Sequence, residues 1–375
     1  MKVGIDTFGC NHGQSGIGSY LTSLINELQD VEDISFELFG EESDRLSFIP
    51  AGGNVTFHGL NVGQKKSHRT WHQIKIDTLA FKQHYDVILY PAGSQVIPLF
   101  QRVPGIAVVN YVLSDLFRGH KNPFFKFAHI TALKQTTAII ASSQFIRKDL
   151  ISLGINPEKI EVIHHGIDHS RFYPHTEIEG DTVLVKPFSI KRPFIIYASR
   201  LQTADKKHVE LIKAFTIFKK QTSLPHRLVL AGDEGRYSDA VRKAAAASEF
   251  ASDIFITGYF PHEHFPELYS CADACIFPSV TEGVGLPVIE AMASGIPVAC
   301  AKAGSLPEIA GDCAYYFNSD DIEELAAAIG TVVTDSKVRE KLIKAGFEWT
   351  KRFSWEKTAA RTVEVIRQVY SQRNH

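Results

Sequence analysis

Two glutamates, Glu282 and Glu290, stand eight positions apart around a glycine-bearing, otherwise apolar run, TEGVGLPVIEAMASGIPV (281–298). Pro287 suits the first turn of a helix and Gly295 the position just past its end, so LPVIEAMAS reads as a short helix entered through the loop TEGVG. Gly283 and Gly285 let the backbone approach a ligand closely, and amide groups at the helix start, aligned with its dipole, make an anion site. A carboxylate presents two acceptor oxygens, which match a pair of vicinal hydroxyl donors. Two carboxylates beside an anion site therefore suit a ligand whose hydroxylated rings flank a phosphate. The competing reading makes Glu290 a complement to the helix dipole and Glu282 a solvated loop acid.

A cationic pair lies in SRLQTADKKHVELIKAF. Arg200 closes a strand and Lys206 follows a polar loop just before a helix, so a guanidinium fork and a mobile ammonium can meet the same anion; the alternative is two surface charges. In LAGDEG a strand ends at Gly232, with Asp233 and Gly235 in the turn, a form suited to ligand contact. Near the N-terminus, the glycines of NHGQSGIGSYL (13, 16 and 18) run in the wrong order for a Gly-x-Gly-x-x-Gly dinucleotide loop. No Asp-x-Asp pair occurs, and His262 and His264 of PHEHF precede a helix, so the expectation is an anion neutralised without a metal ion.

The elements that must position these groups follow an α/β pattern. Short apolar strands (KVGID, ISFELFG, NVTFHGL, DVILYP, IAVVNYV, AIIASS and IEVIHHG, then FIIYASR, RLVLAGD, DIFITGYF, ACIFPS, IPVACA and AYYFN) alternate with helical spacings at 17–29, 70–83, 123–136, 207–221, 262–270 and 322–333. Continuously apolar strands separated by helices predict parallel sheets covered on both faces. The segment 168–192, with Pro174, Gly180 and Pro187, breaks the alternation. The expectation is two Rossmann-like domains, 1–175 and 190–354, facing each other across a cleft, with the amphipathic helix 355–375 packing back on the first.

Composition narrows the partners. Lys and Arg number 40 against 42 Asp and Glu, a net charge of -2 that gives no general attraction to nucleic acid. Five cysteines without a Cys-x-x-Cys pair, most of them in hydrophobic stretches, point to core thiols and a reducing cytoplasm. No apolar run reaches membrane-spanning length, so any membrane contact is peripheral. Basic and aromatic residues interleave in GQKKSHRTWHQIKIDTLAFKQH and FRGHKNPFFKFAHITALK. Both read either as solvated helix faces or as surfaces for anionic lipid headgroups.

The order SRLQTADKKHVELIKAF, LAGDEG, ITGYF, LYSCADACIFPSVTEGVGLPVIEAMASGIPVACAKAGSLPEIAGDCAYYF and a late FSWEKTA, spanning 193–370, resembles the C-terminal domain of family 4 retaining glycosyltransferases of the GT-B fold. The resemblance implies that Arg200 and Lys206 bind a nucleotide diphosphate, Glu290 holds the ribose and Glu282 contacts the transferred sugar. The backbone N–H groups of Gly283, Val284, Gly285 and Leu286 would assist, with Gly232 and Tyr259 at the donor and Tyr259 and Phe260 where the base rests. NHGQSGIGSYLTSLINEL resembles the family's glycine loop, with Gly16 and Gly18 near the departing phosphate. After IAVVNYV the family commonly has a His-Asp pair; here Ser114 and Asp115 occupy those places, and His165 stands where the family usually shows Asn. His120 is a candidate replacement for the missing histidine.

The implied activity is transfer of a hexose from a UDP-, GDP- or dTDP-sugar to a glycan or lipid-linked acceptor in bacterial surface polysaccharide assembly. It would need no metal or other cofactor, and would take place in the cytoplasm or on the inner face of the membrane. The alternatives are a nucleotide-sugar epimerase of related fold and a non-catalytic nucleotide-sugar-binding protein.

Overall fold

Two parallel sheets carry the chain in the computed structural model, which describes residues 1–49, 55–61, 68–119, 123–174, 182–185 and 188–373. The first holds β1 (Lys2–Asp6), β2 (Ser35–Glu41), β3 (Thr56–Leu60), β4 (Val87–Tyr90), β5 (Gly105–Val109), β6 (Ala138–Ala141) and β7 (Ile160–Val162) in the order β3-β2-β1-β4-β5-β6-β7. Its crossovers are α1 (Gly16–Leu28), α2 (Arg45–Phe48), α3 (His68–Lys82), α4 (Leu113–Arg118), α5 (Pro123–Gln135) and α6 (Gln144–Ser152). β4 and β5 are buried along their whole length, as strands with helices over both faces must be.

An antiparallel pair, β8 (Thr182–Val185) and β9 (Phe188–Lys191), precedes the second sheet. That pair lies inside the stretch whose prolines and glycine read as a break. Its β9 end is held by Phe188, whose ring stacks on Phe260 at 5.4 Å. The second sheet orders β10 (Phe194–Ala198), β11 (Arg227–Ala231), β12 (Ile254–Gly258), β13 (Ala274–Phe277), β14 (Val298–Ala301) and β15 (Tyr315–Phe317) as β12-β11-β10-β13-β14-β15. It carries α7 (His208–Thr222), α8 (Ser238–Ala247), α9 (Phe265–Ser270), α10 (Leu286–Ala293), α11 (Leu306–Ala310), α12 (Ile322–Thr334) and α13 (Ser336–Thr350). In both sheets the strand order reverses beside the first strand, the switch point where open α/β sheets bind ligands at their carboxyl ends.

The chain divides into two compact units, Met1–Gly166 with Phe353–His375, and Ile167–Arg352. The division falls ahead of the 168–192 segment because Phe172 and Pro174 pack within the second unit, against Tyr269 and over Gly295 respectively. The last helix, α14 (Trp355–Arg373), buries Val363, Ile366 and Val369 in the core formed by α1 and β1 of the first unit. Thr358 Oγ1 also donates to the His164 carbonyl at 2.8 Å. All five cysteines are free and buried, and burial raises the pKa of the Cys275 and Cys300 thiols far above the ordinary range.

One buried group sets an acid limit on stability. His165 is buried, its Nε2–H donates to Asn110 Oδ1 at 3.0 Å, and its ring lies 4.6 Å from that of Tyr20. Burial, reinforced by neighbouring His164, lowers its pKa from 6.5 to about 3, so the ring is neutral in the folded protein. A depressed histidine favours folding fully above the unfolded value of 6.5, and that contribution is lost as pH falls from there toward about 3. The unfolding free energy is therefore expected to fall below pH 6.5 on account of this ring, the slope approaching about 1.4 kcal/mol per pH unit. Urea melts of wild type and His165→Gln between pH 7 and 4.5 check this: the variant should show a shallower slope by about one proton.

Candidate functional site

In the second unit the loops at the carboxyl ends of β10, β11 and β13 gather most of the residues singled out from sequence. Lys206 ends a short 3-10 turn after β10 (Ala204–Lys206), and its backbone carbonyl accepts from the buried Tyr197 hydroxyl at 2.8 Å. Lys207 takes a left-handed conformation (φ 56°) to turn the chain into α7. His208, fully buried at the start of that helix, donates its Nε2–H to the Ser199 carbonyl at 3.3 Å, which ties down the loop bearing Arg200. Gly232 passes so close beneath the same loop that an added Cβ would stand 2.1 Å from the Ser199 oxygen. Glycine is there because the backbones touch, whatever contact it also makes with a ligand.

The opposing loop is held as firmly. Val280 N–H donates to the Asp205 carbonyl at 3.0 Å, and Ser305 N–H to that of Glu282 at 3.0 Å. Gly304 crosses Glu282 with no room for a side chain: a Cβ there would be 2.9 Å from its oxygen. These contacts bring Lys206 Nζ to 2.7 Å from Glu282 Oε2, a carboxylate that also accepts from Ser279 Oγ at 3.3 Å. Neither side chain is sealed off, at 23% and 17% exposure, so both remain open to a ligand.

The helix α10 begins next, with Gly285 as its cap residue in the left-handed region (φ 74°), without a side-chain cap, and with the Val288 N–H donating to the Gly285 carbonyl at 3.1 Å. Glu290 is buried one turn in, with Tyr269 donating its hydroxyl to Oε2 at 3.4 Å and His262 Nε2 3.6 Å from Oε1. Glu290 in turn raises the His262 pKa above 6.5 by hydrogen bonding and charge, against the effect of burial. Such a buried acid held by a tyrosine and a half-exposed histidine is more than a dipole complement. Tyr259 is well exposed, whereas Phe260 is buried between Phe188 and Phe265 and leaves no face for a base to stack on.

The first unit presents its candidates differently. Ser15 caps α1 by accepting the Gly18 N–H at 3.1 Å, and a Cβ on Gly18 would stand 2.5 Å from the Cys10 carbonyl. The Gly18 amide is thus engaged by Ser15 in this structure, and the nearby Cys10 backbone requires a residue without a side chain. Gly16 has open space around its Cα. Asp115, in the first turn of α4, pairs with Arg118 at 2.8 Å, and the amides of Leu113 and Ser114 at that helix start are taken by Asp149 at 2.7 and 3.2 Å. His120, the candidate replacement for the missing histidine, lies outside the described residues.

Two histidine–carboxylate pairs that the sequence did not suggest occupy the ends of β1 and β2. His72 Nε2 meets Asp6 Oδ2 at 2.5 Å, and Asp6 Oδ1 accepts from the Phe8 N–H at 2.9 Å. His12 Nδ1 pairs with Asp44, which also accepts from Thr7 Oγ1 at 2.7 Å. Their partners are 66 and 32 positions apart, so no local spacing announces them.

Residues 14–171 match the family described as Glycosyltransferase Family 4, and residues 185–349 that described as Glycosyl transferases group 1. The chain belongs to glycosyltransferase family 4. It is 28% identical over 237 residues to O-antigen chain mannosyltransferase B of Escherichia coli, covering 63% of this chain and 62% of that protein. A sulfoquinovosyl transferase of Arabidopsis thaliana is also 28% identical, over 62% of this chain and 44% of its own length. The matched span is thus under two thirds of both of these relatives. The alpha-maltose-1-phosphate synthase of Mycolicibacterium smegmatis is 22% identical over 94% of this chain and 95% of its own.

Among solved structures, sucrose-phosphate synthase from Thermosynechococcus elongatus superposes with a TM-score of 0.78 at 18% identity, over 99% of this chain and 100% of that one. Anabaena HepE in complex with UDP and glucose does so at 0.73 and 19%, over 98% and 100%. With the two sheet topologies, these likenesses establish the GT-B fold of two Rossmann-like α/β units for this family 4 chain. Three of its site neighbours escaped the sequence reading: Ser279, Tyr269 and His262. Of these only His262 stands out in the sequence, in PHEHF, where it is weighed and set aside as a metal ligand and not connected with Glu290.

Proposed function

We propose that this family 4 chain moves a hexose from a nucleoside-diphosphate sugar to a glycan or lipid-linked acceptor, with retention at the anomeric carbon and without a metal ion, in surface polysaccharide assembly. The observation that carries this reading is the contact of Lys206 with Glu282 just ahead of the N-terminus of α10, which has no side-chain cap. A diphosphate accepts hydrogen bonds from the helix amides and draws Lys206 and Arg200 to its charge. Glu290 then takes the ribose hydroxyls and Glu282 those of the hexose, each carboxylate accepting from a diol.

In the reaction the bond between the anomeric carbon and the diphosphate oxygen breaks, and the acceptor oxygen bonds to that carbon from the same face. The acceptor proton passes to a phosphate oxygen. The protein's task is to stabilise charge growing on the diphosphate, for which fixed cations and amides aimed at the leaving oxygens are effective. The choice of a hexose is supported by the HepE structures, which hold UDP with glucose or UDP-glucose, and by the mannosyltransferase relative.

Thermal-shift titration with UDP, GDP and dTDP tests the reading without knowledge of the acceptor. One of the three should raise the melting temperature. At a hundred times its dissociation constant it stabilises the fold by about 2.7 kcal/mol. EDTA should leave that shift unchanged, and Glu290→Ala should remove most of it. No response to any of the three diphosphates would overturn the proposal.

A further inference from the structure

Nothing in the proposed donor site uses the helix α5, yet its surface is unusual. Its sequence PFFKFAHITALKQ turns Ala128, His129, Ala132 and Leu133 into the first unit. Of its three phenylalanines, Phe125 packs inward, 6.0 Å from the Phe117 ring and 5.7 Å from His129. Phe124 and Phe127, one turn apart on the opposite side, are 69% and 68% exposed. Neighbouring elements add Phe81 at the end of α3, with the Arg102 guanidinium 5.3 Å from its ring, and Phe100. The segment bearing Phe100 is tied to α5, because Gln101 Nε2 donates to the Ala132 carbonyl at 3.3 Å. Four of the nine large hydrophobic side chains exposed among the described residues thus belong to α3, α5 and the stretch around Phe100 that is tied to α5.

The charge on this part of the chain has one sign. From Leu116 to Lys148 there are six Lys and Arg and no Asp or Glu, in a protein whose acids outnumber its cations 42 to 40. The acids that flank it in sequence are already engaged, Asp115 with Arg118 and Asp149 with the start of α4, and Asp77 on α3 pairs with Arg102 at 2.7 Å. Lys126 and Lys148 are exposed, and among the described residues no carboxylate pairs with either. Lys126 Nζ lies 6.0 Å from the Phe117 ring, and exposed phenylalanines beside a cation that no carboxylate neutralises suit a surface that is negatively charged outside and apolar a few ångströms below, which is the description of an anionic bilayer.

We propose that α5 is the membrane-docking element of this protein: Phe124 and Phe127 insert at the acyl boundary of an anionic lipid surface while Lys126 and its neighbours meet the headgroups. This deepens the reading of a lipid-linked acceptor by naming the face that would bring the first unit to it. The binding itself does not depend on nucleotide or on transfer.

Co-sedimentation of the whole chain with vesicles of phosphatidylcholine, alone or with a third phosphatidylglycerol, tests it. Wild type should bind the anionic vesicles and not the neutral ones, with binding weakened about tenfold or more by half-molar salt. Phe124→Ser with Phe127→Ser should lose about tenfold or more in affinity. Both positions are exposed, so the double variant should keep the wild-type melting temperature and the wild-type response to nucleoside diphosphate. Those two readouts separate a failed docking face from a failed donor site. Absence of binding to anionic vesicles, equal binding to neutral ones, or full binding by the folded double variant would overturn the proposal.

Discussion

Lys206→Ala is expected to lower the turnover number for hexose transfer by about 10²- to 10³-fold, the usual cost of removing one preorganised group that meets developing charge. The expectation rests on where the ammonium is held. Tyr197 fixes the Lys206 backbone, and the 2.7 Å contact with Glu282 holds the side chain beside the carboxylate assigned to the sugar. As the diphosphate departs its charge grows, so an ammonium that can move from carboxylate to phosphate stabilises the transition state more than the ground state.

The fold should barely register the change. The pair is partly solvated, and such exposed pairs contribute about 1 kcal/mol or less. Lys206→Arg should recover only part of the rate, because a planar fork does not occupy the space of a compact ammonium. Turnover measured with the donor whose base the nucleotide titration identifies, beside the melting temperature, checks both halves. Activity within threefold of wild type in a folded Lys206→Ala protein would remove Lys206 from the mechanism.

The largest effect on stability is expected from His72→Ala, at about 3–5 kcal/mol. Asp6 and His72 are each 1% exposed, and their 2.5 Å contact joins the end of β1 to α3. Deleting the imidazole leaves the Asp6 carboxylate buried beside the Phe8 N–H, and it opens a cavity beneath Phe8, whose ring lies 5.4 Å from that of His72. Asp6→Asn combined with His72→Ala should recover part of the loss, since the neutral amide carries a smaller desolvation cost than a stranded charge. Urea unfolding at pH 7.5 checks the series. A His72→Ala midpoint equal to wild type would show that the pair contributes nothing.

Much of this protein follows from local pattern. Every strand expected from a continuous apolar run appears within a few residues of its place, because a strand buried on both faces has no polar positions to confuse the signal. The extent of α10 was also legible, since Pro287 in the first turn and Gly295 past the end are local signals of a helix. The antiparallel pair of β8 and β9 was not: prolines and a glycine obscure its pattern, and the stacking of Phe188 on Phe260 that holds it joins groups distant in the chain.

For the site, sequence alone determined which residues carry charge and which loops bear them. Only the tertiary structure decided that Lys206 touches Glu282, that His262 and Tyr269 hold Glu290, and that Gly18 and Gly232 are small because backbone crosses them. It also supplied Asp6 with His72 and Asp44 with His12, and it turned two of three adjacent phenylalanines outward on α5. The physical reason is the same throughout: helix and strand periodicity are written in neighbouring residues. A buried ion pair, a backbone crossing or the choice of exposed face depends on groups distant in the chain that meet only when the sheets are wound.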